Sequence, residues 1–196
     1  MVTFLYNKNK ELEIYDKVIK VGKSKEVSEL IYNEIVNAPI EIDKDEFVRR
    51  LIITIDKQWK DLEKNFYEKL GAFYGNHISE PDITCFLTRF DKFPYYYSAN
   101  VQNKWFSAPL FANPAERIRV IMHELCHFFQ PVDLPRDIKE AIPVILNDHD
   151  TFKMYGLDRG HESKEEQKWR KIIWEIHQKG GTFKDVLEEV EKNKIQ

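Results

Sequence analysis

The stretch that decides the fold of this 196-residue chain runs from Asn113 to Phe129 and reads NPAERIRVIMHELCHFF. Asn113 is a favourable helix N-cap, Pro114 suits the first helical position, and Glu116 can complete a capping box. Apolar residues then recur at helical spacing, namely Ile118, Ile121, Met122, Leu125 and Phe129. Because Pro131 ends the pattern, the stretch predicts an amphipathic helix with one face turned to the core.

His123 and His127 lie four positions apart within this predicted helix. The spacing places both imidazoles on one face, about 6 Å apart, where they can bind one tetrahedral cation. Glu124 lies about 100° around the helix from the first histidine, so its carboxylate can reach a metal-activated water without binding the metal. The HExxH pattern therefore predicts one Zn²⁺ ion held by His123 and His127, with Glu124 as the general base.

The segment from Val120 to Phe128 resembles the active-site helix of the zincin metallopeptidases, in which hydrophobic residues precede the first histidine. The resemblance implies an α+β, zincin-like fold, mostly helical, with a small antiparallel sheet packed over the active-site helix. It also implies a zinc-dependent metallopeptidase, a hydrolase that cleaves peptide bonds in a peptide or protein substrate. The alternative is a non-catalytic zinc-binding regulatory or interaction module that retains the zincin fold.

A catalytic zinc ion normally has three protein ligands and keeps one position for water. Glu140 lies on the next predicted helix, thirteen positions after His127, and is similar to the downstream glutamate ligand of the gluzincins. Asn147 shares its helical face as a candidate hydrogen-bond partner. Asp133 is the main alternative, since the metzincins place their last ligand six residues after the second histidine. However, Gln130 stands where that pattern has glycine, and Asp133 can also cap the next helix.

Other residues remain open for the third ligand and for the group that stabilises the oxyanion. Asp148, within the segment 147–150, can supply a ligand carboxylate, and His161 and Cys85 are formal alternatives. The candidates for oxyanion stabilisation are Tyr95, Tyr96, Tyr97, Tyr155, His149 and His161. The sequence does not choose among them.

The rest of the chain predicts the frame around this helix. A long amphipathic helix starts at a capping-box pair, Asp43 and Glu46, and ends at Gly71. β-Branched and aromatic residues between Ile83 and Ala112 predict two or three short antiparallel strands. Further helices are predicted after Ser24 and over residues 134–147, 162–179 and 182–192.

Composition bounds the class of protein. The chain has 42% hydrophobic residues, which fits a single domain over residues 1–196. Its formal net charge of -3 argues against nucleic acid as the main partner. Two cysteines are too few for a disulfide framework, and no apolar run suits a membrane span or a signal peptide. A cytoplasmic location without a membrane partner is therefore expected, and the oligomeric state remains open.

Overall fold

The computed structural model describes residues 1–20, 37, 45–78, 81–89, 97–98, 104–161 and 163–194. The strands are β1 (Val2–Leu5), β2 (Ile83–Thr88), β3 (Tyr97–Ser98) and β4 (Trp105–Pro109). The helices are α1 (Lys8–Lys20), α2 (Glu46–Tyr74), α3 (Pro114–Cys126), α4 (Arg136–Ala141), α5 (Asp150–Lys153), α6 (Lys164–Gln178) and α7 (Phe183–Lys194). Two 3-10 segments, His127–Phe129 and Ile142–Asp148, follow α3 and α4. The helix predicted after Ser24 lies outside the described residues.

The sheet shows that the predicted antiparallel arrangement is wrong. Its strand order is β1-β2-β4-β3, and β2 pairs in parallel with both β1 and β4. Within the described part of the chain, antiparallel pairing is limited to the two residues of β3 against β4. Parallel strands need a crossover of about a dozen residues or more, and the long connections between these strands provide it. The expected α+β, zincin-like fold with an antiparallel sheet is therefore not the observed fold.

The chain forms two compact units. The first comprises residues 1–59 and 81–117, and the second comprises residues 60–80 and 118–196. Helices α2 and α3 each begin in the first unit and end in the second. The expectation of a single domain over residues 1–196 stays a prediction.

The first unit consists of the sheet with α1 and the first part of α2. Ile14 of α1 packs against Trp105 of β4, and Lys10 Nζ lies 3.9 Å from the centre of the Trp105 ring. Glu11 is buried but satisfied, because its carboxylate accepts hydrogen bonds from Tyr6 Oη at 2.7 Å and from Arg89 Nε at 3.0 Å. Cys85, a formal ligand candidate, is fully buried in β2 of this unit.

The second unit contains most of α3 and every helix that follows. The N-cap at Asn113 and the helix start at Pro114 are confirmed, since Asn113 Oδ1 accepts a hydrogen bond from the backbone nitrogen of Ala115 at 2.8 Å. After Cys126 the backbone tightens into the 3-10 segment that carries His127. The apolar stripe predicted for α3 is buried as well, with Ile118, Ile121 and Leu125 each 0% exposed. These contacts fix the direction in which the motif side chains leave the helix.

Two predicted helices differ in their bounds. The helix expected over 134–147 is α4 followed by a 3-10 segment, and the change occurs at Ile142, next to Pro143. Proline has no amide hydrogen and its ring clashes with the carbonyl four residues back, so α-helical geometry ends there. The long helix α2 continues past Gly71 to Tyr74, and Gly75 has the left-handed φ of 72°.

Candidate metal centre

The two motif histidines lie side by side at the end of α3. Their ring centroids are 5.0 Å apart, and the ring planes meet at 77°. His123, Glu124 and His127 each present one ligand atom within 4.8 Å of the other two. Glu124 and His127 are each 6% exposed, so this cluster is largely shielded from solvent.

Glu140 of α4 faces both histidines. Its Oε2 atom lies 3.2 Å from His123 Nε2 and 3.5 Å from His127 Nε2. Thirteen residues separate Glu140 from His127 in the sequence, and the turn before α4 brings it back to the histidine face. Both Nε2 atoms therefore point at one carboxylate oxygen.

Asp158 fixes the orientation of His123. Its Oδ2 atom lies 2.7 Å from His123 Nδ1, and a carboxylate can only accept this hydrogen bond. Nδ1 of His123 must therefore carry a proton. When the imidazole is neutral, its lone pair lies on Nε2, on the side of Glu140.

Gln130 does the same for His127. The amide nitrogen of Gln130 donates to the backbone oxygen of Lys139 at 2.9 Å, which leaves Oε1 as the acceptor 2.9 Å from His127 Nδ1. His127 Nδ1 therefore carries a proton, and Nε2 is the ring nitrogen left to bind a metal. Such partners on the far ring nitrogen are usual for histidines that bind a metal.

Asp158 itself is held on several sides. Its backbone nitrogen and oxygen bond to the side-chain amide of Asn147 at 2.8 and 2.9 Å. Its Oδ1 atom lies 2.7 Å from Nη2 of the buried Arg170. Burial alone would raise the pKa of Asp158, but hydrogen bonds from His123 and the charge of Arg170 lower it to about 2. Asp158 is therefore an anion at neutral pH.

The charges around the histidines respond to one another in the metal-free chain. Burial alone would lower the pKa of His123, but hydrogen bonds to Asp158 and Glu140 outweigh it and raise the pKa to about 10. Burial alone would raise the pKa of Glu140, yet hydrogen bonds from His123 and His127 hold it well below its usual range. Burial raises the pKa of Glu124, and the two histidines oppose that rise. A cation between these groups is electrostatically favoured.

His161 lies at the exposed side of this cluster. Its side chain is 60% exposed, and its ring centroid is 6.3 Å from that of His123. His161 Nδ1 lies 3.1 Å from Oε2 of the buried Glu166 and 3.9 Å from Oε2 of Glu140. His161 is thus an oxyanion candidate whose ring lies beside two of the predicted ligands, His123 and Glu140.

The other predicted candidates make different contacts. Asp133 is exposed and does not cap α4, whose N-cap residue is Pro135. Asp148 pairs with Lys69 Nζ at 2.6 Å and with His177 Nε2 at 2.7 Å. Tyr95 and Tyr96, like Asp43, lie outside the described residues, and nothing is described of the Tyr97 side chain. Among these candidates, Glu140 is therefore the one whose carboxylate lies close to both histidines in the described residues.

The donor set suits zinc. Zinc bonds of about 2.0 to 2.1 Å to nitrogen and oxygen, in a tetrahedral arrangement, separate neighbouring ligand atoms by roughly 3.3 Å. The separations of 3.2 and 3.5 Å between Glu140 Oε2 and the two Nε2 atoms agree with this value. Two neutral imidazoles and one carboxylate also form a known ligand set of catalytic zinc.

Sequence reasoning missed the partners of the histidines. Asp158 is 35 positions from His123, and its only local signal is its place in the segment Gly156-Leu157-Asp158-Arg159-Gly160, between two glycines with positive φ. In the sequence, Gln130 was notable only because it stands where the metzincin pattern has a glycine. Metal-binding histidines generally need an acceptor on the other ring nitrogen, but that rule does not name which residue supplies it.

Replacing Glu140 with alanine is expected to weaken zinc binding more than the roughly 10- to 100-fold that loss of an outer partner costs. The reason is that the variant keeps both histidines but loses the carboxylate oxygen that lies 3.2 and 3.5 Å from their Nε2 atoms. Asp133→Ala is the matched control and should leave zinc affinity unchanged. Competition with a chromophoric chelator measures both. Zinc affinity that falls in Asp133→Ala and not in Glu140→Ala would make Asp133 the ligand.

Zinc affinity is expected to rise with pH. The raised pKa of His123, about 10, means that metal-free protein carries a proton on Nε2 at neutral pH, and zinc must displace it. Affinity should therefore fall about tenfold for each pH unit between pH 9 and 7 through this proton alone. Chelator competition across this range tests the slope. An affinity independent of pH would contradict it.

Comparisons with known proteins add no family to this description. No protein-family model, curated protein or solved structure matches the chain. Within the described residues, no helix has both the length and the apolar character that a bilayer crossing requires.

Proposed function

We propose that this protein is a zinc-dependent metallopeptidase that binds one Zn²⁺ ion through His123, His127 and Glu140. The proposal is carried by one observation, the position of Glu140 Oε2 at 3.2 and 3.5 Å from the two Nε2 atoms. The Nδ1 atoms of both rings are already bonded, to Asp158 and to Gln130. Each ring therefore has only Nε2 left for a metal, and that nitrogen offers its lone pair once zinc displaces its proton.

Glu124 is the proposed general base. A bound zinc ion supplies Lewis acidity and makes water acidic enough to lose a proton near neutral pH. Glu124 lies next to the first histidine, and one of its carboxylate oxygens lies within 4.8 Å of a ring nitrogen of each histidine, close to where a metal-bound water would be. Burial raises its pKa, which suits a group that accepts a proton and then returns it to the leaving amine.

His161 is the proposed partner of the developing oxyanion. Its exposed ring lies beside His123, and Glu166 accepts from Nδ1. When both ring nitrogens carry a proton, Nε2 can donate to negative charge on the substrate. The substrate class remains a peptide or protein, and a cytoplasmic location stays a prediction.

The test combines metal analysis with a peptide-cleavage assay. The purified full chain is analysed for zinc and then assayed on a fluorogenic peptide library, before and after treatment with 1,10-phenanthroline and after zinc is restored. The proposal expects about one zinc per chain and cleavage that is lost and regained with the metal. A preparation of Glu124→Gln made in parallel controls for contaminating proteases.

Each other outcome has a distinct meaning. Zinc at about one equivalent without cleavage of any peptide would overturn the peptidase and leave the non-catalytic zinc-binding module. Purified protein that takes up no zinc would overturn both. Cleavage that resists the chelator and survives in Glu124→Gln would belong to another protein in the preparation.

A further inference from the structure

A cavity of about 510 Å³ opens in the second unit and reaches Asp158, the carboxylate that orients His123. Its wall includes Val144, Leu157, Arg159 and Trp174. The volume lies within the roughly 300 to 1000 Å³ that small-molecule sites occupy. Asp158 bonds to Nδ1 of His123, whereas Glu140 faces Nε2, so the cavity residue that contacts His123 does so at the ring nitrogen away from the proposed metal.

The cavity is positively charged in an acidic protein. Arg159, Arg170 and Lys171 line it, against a single carboxylate, that of Asp158. Asp158 is already paired with Arg170 at 2.7 Å, and the chain as a whole has a formal net charge of -3. The positive excess is therefore local.

Two of these cations are available to a ligand. Arg170 is buried and bonds to Asp158, but Arg159 is exposed, and in the part of the chain that the structure describes its guanidinium has no recorded ion pair. Lys171 is also exposed, and its nearest recorded partner, Glu175, is 4.0 Å away, at the limit of an ion pair. Exposed pairs of this kind contribute little, so Lys171 can exchange its partner at small cost.

The backbone that carries Arg159 is fixed before any ligand binds. Gln167 Nε2 donates to the backbone oxygen of Arg159 at 3.0 Å, and Gly160 donates to Asp158 Oδ1 at 3.1 Å. Gly160 has a φ of 65°, and a Cβ atom there would overlap Glu166 and Arg170. The Arg159 guanidinium therefore extends from a turn whose backbone is already ordered. Less conformational entropy is then lost when a ligand binds.

Apolar groups supply the rest of the wall. Leu157 is 48% exposed, and the half-buried Trp174 lines the same wall. An aromatic or short apolar group can cover this surface. The wall thus combines the apolar surface of Leu157 and Trp174 with the exposed cations Arg159 and Lys171.

We propose that this cavity binds a small organic anion, a carboxylate or phosphate monoester that carries an aromatic or short apolar group. The anion pairs with Arg159 and Lys171, and the apolar group packs against Trp174 and Leu157. The site needs neither the zinc ion nor Glu124. It therefore stands or falls independently of the peptidase proposal.

The test uses phenyl phosphate and phenylacetate as probes, with benzyl alcohol as the uncharged control, titrated into the zinc-free and the zinc-loaded full chain. Isothermal titration and the fluorescence of the protein report binding. Arg159→Gln is expected to weaken the affinity for phenyl phosphate about tenfold, because a charge-assisted hydrogen bond is lost. Lys168→Gln is the matched control, since Lys168 is an exposed residue of α6 outside the cavity wall.

The results of these titrations either support the proposed anion site or overturn it. Binding of both anions with loss in Arg159→Gln and not in Lys168→Gln supports the site, whether or not peptides are cleaved. Absence of binding up to about 10 mM, the weak limit for ligands of this size, would overturn it. So would equal affinity in Arg159→Gln, or benzyl alcohol binding as tightly as phenylacetate.

Discussion

Glu124→Gln is expected to lower kcat/KM for peptide cleavage by about 10²- to 10⁴-fold, the contribution typical of a positioned general base. Glutamine keeps the size and the hydrogen-bonding capacity of the side chain but cannot accept the proton from water. The zinc content should stay near one equivalent, because the proposed ligands His123, His127 and Glu140 are untouched. The two readouts are steady-state cleavage and metal analysis of the same sample.

The matched control for this variant is Glu116→Gln. Glu116 is an exposed carboxylate in the first turn of the same helix, so the substitution costs at most a few tenths of a kcal/mol through the helix dipole. Its kcat/KM should equal that of the parent chain. Full turnover in Glu124→Gln would remove Glu124 from the role of base, and loss of zinc in that variant would instead make Glu124 a ligand.

His123→Ala is expected to abolish both stoichiometric zinc and cleavage. The substitution removes one of three proposed ligands and also leaves the carboxylates of Asp158 and Glu140 without their shared partner. Removing one partner of a buried ion pair leaves an uncompensated charge, which lowers the stability of the fold as well as the affinity for zinc. After dialysis against trace zinc, bound metal should fall to less than about a tenth of an equivalent.

His77→Ala serves as the control, because His77 is an exposed histidine in the turn that follows α2. It should keep zinc and activity. If His123→Ala fails to fold, His123→Gln retains a hydrogen-bonding group toward Asp158 and still lacks an imidazole for the metal. A folded His123→Gln that holds one zinc as tightly as the parent would rule His123 out as a ligand.

The sequence was most informative where chemistry and periodicity involve the same short segment. The N-cap at Asn113, the buried stripe of α3 and the spacing of His123 and His127 are all local, so each could be predicted without knowledge of the fold. Glu140 could be named as a candidate because it lies close to His127 in the chain. Glu140 was preferred to Asp133 in the sequence because Gln130 stands where the Asp133 pattern has glycine. The orientation of its carboxylate depends on the turn between His127 and α4, which the sequence does not give.

The direction of the strands and the hydrogen-bond partner of His123 depend on residues that are far apart in the sequence. Neither could be predicted from a short segment. Aromatic and β-branched residues favour a strand but do not distinguish parallel from antiparallel neighbours, and β1 pairs with β2 across 81 positions, from Val2 to Ile83. Asp158 reaches His123 only because Asn147 and Arg170 hold its loop in place. Neither relation has a spacing that could be recognised in one sequence.

The ligands proposed for zinc all lie between positions 123 and 140, on one side of a short turn. Closing so short a segment costs little chain entropy, because that cost grows only with the logarithm of its length. Strand pairing across some eighty positions is slower for the same reason. A metal ion can therefore fasten α3 to α4 while the sheet is still unassembled, and its binding energy then counts toward folding as well as toward catalysis.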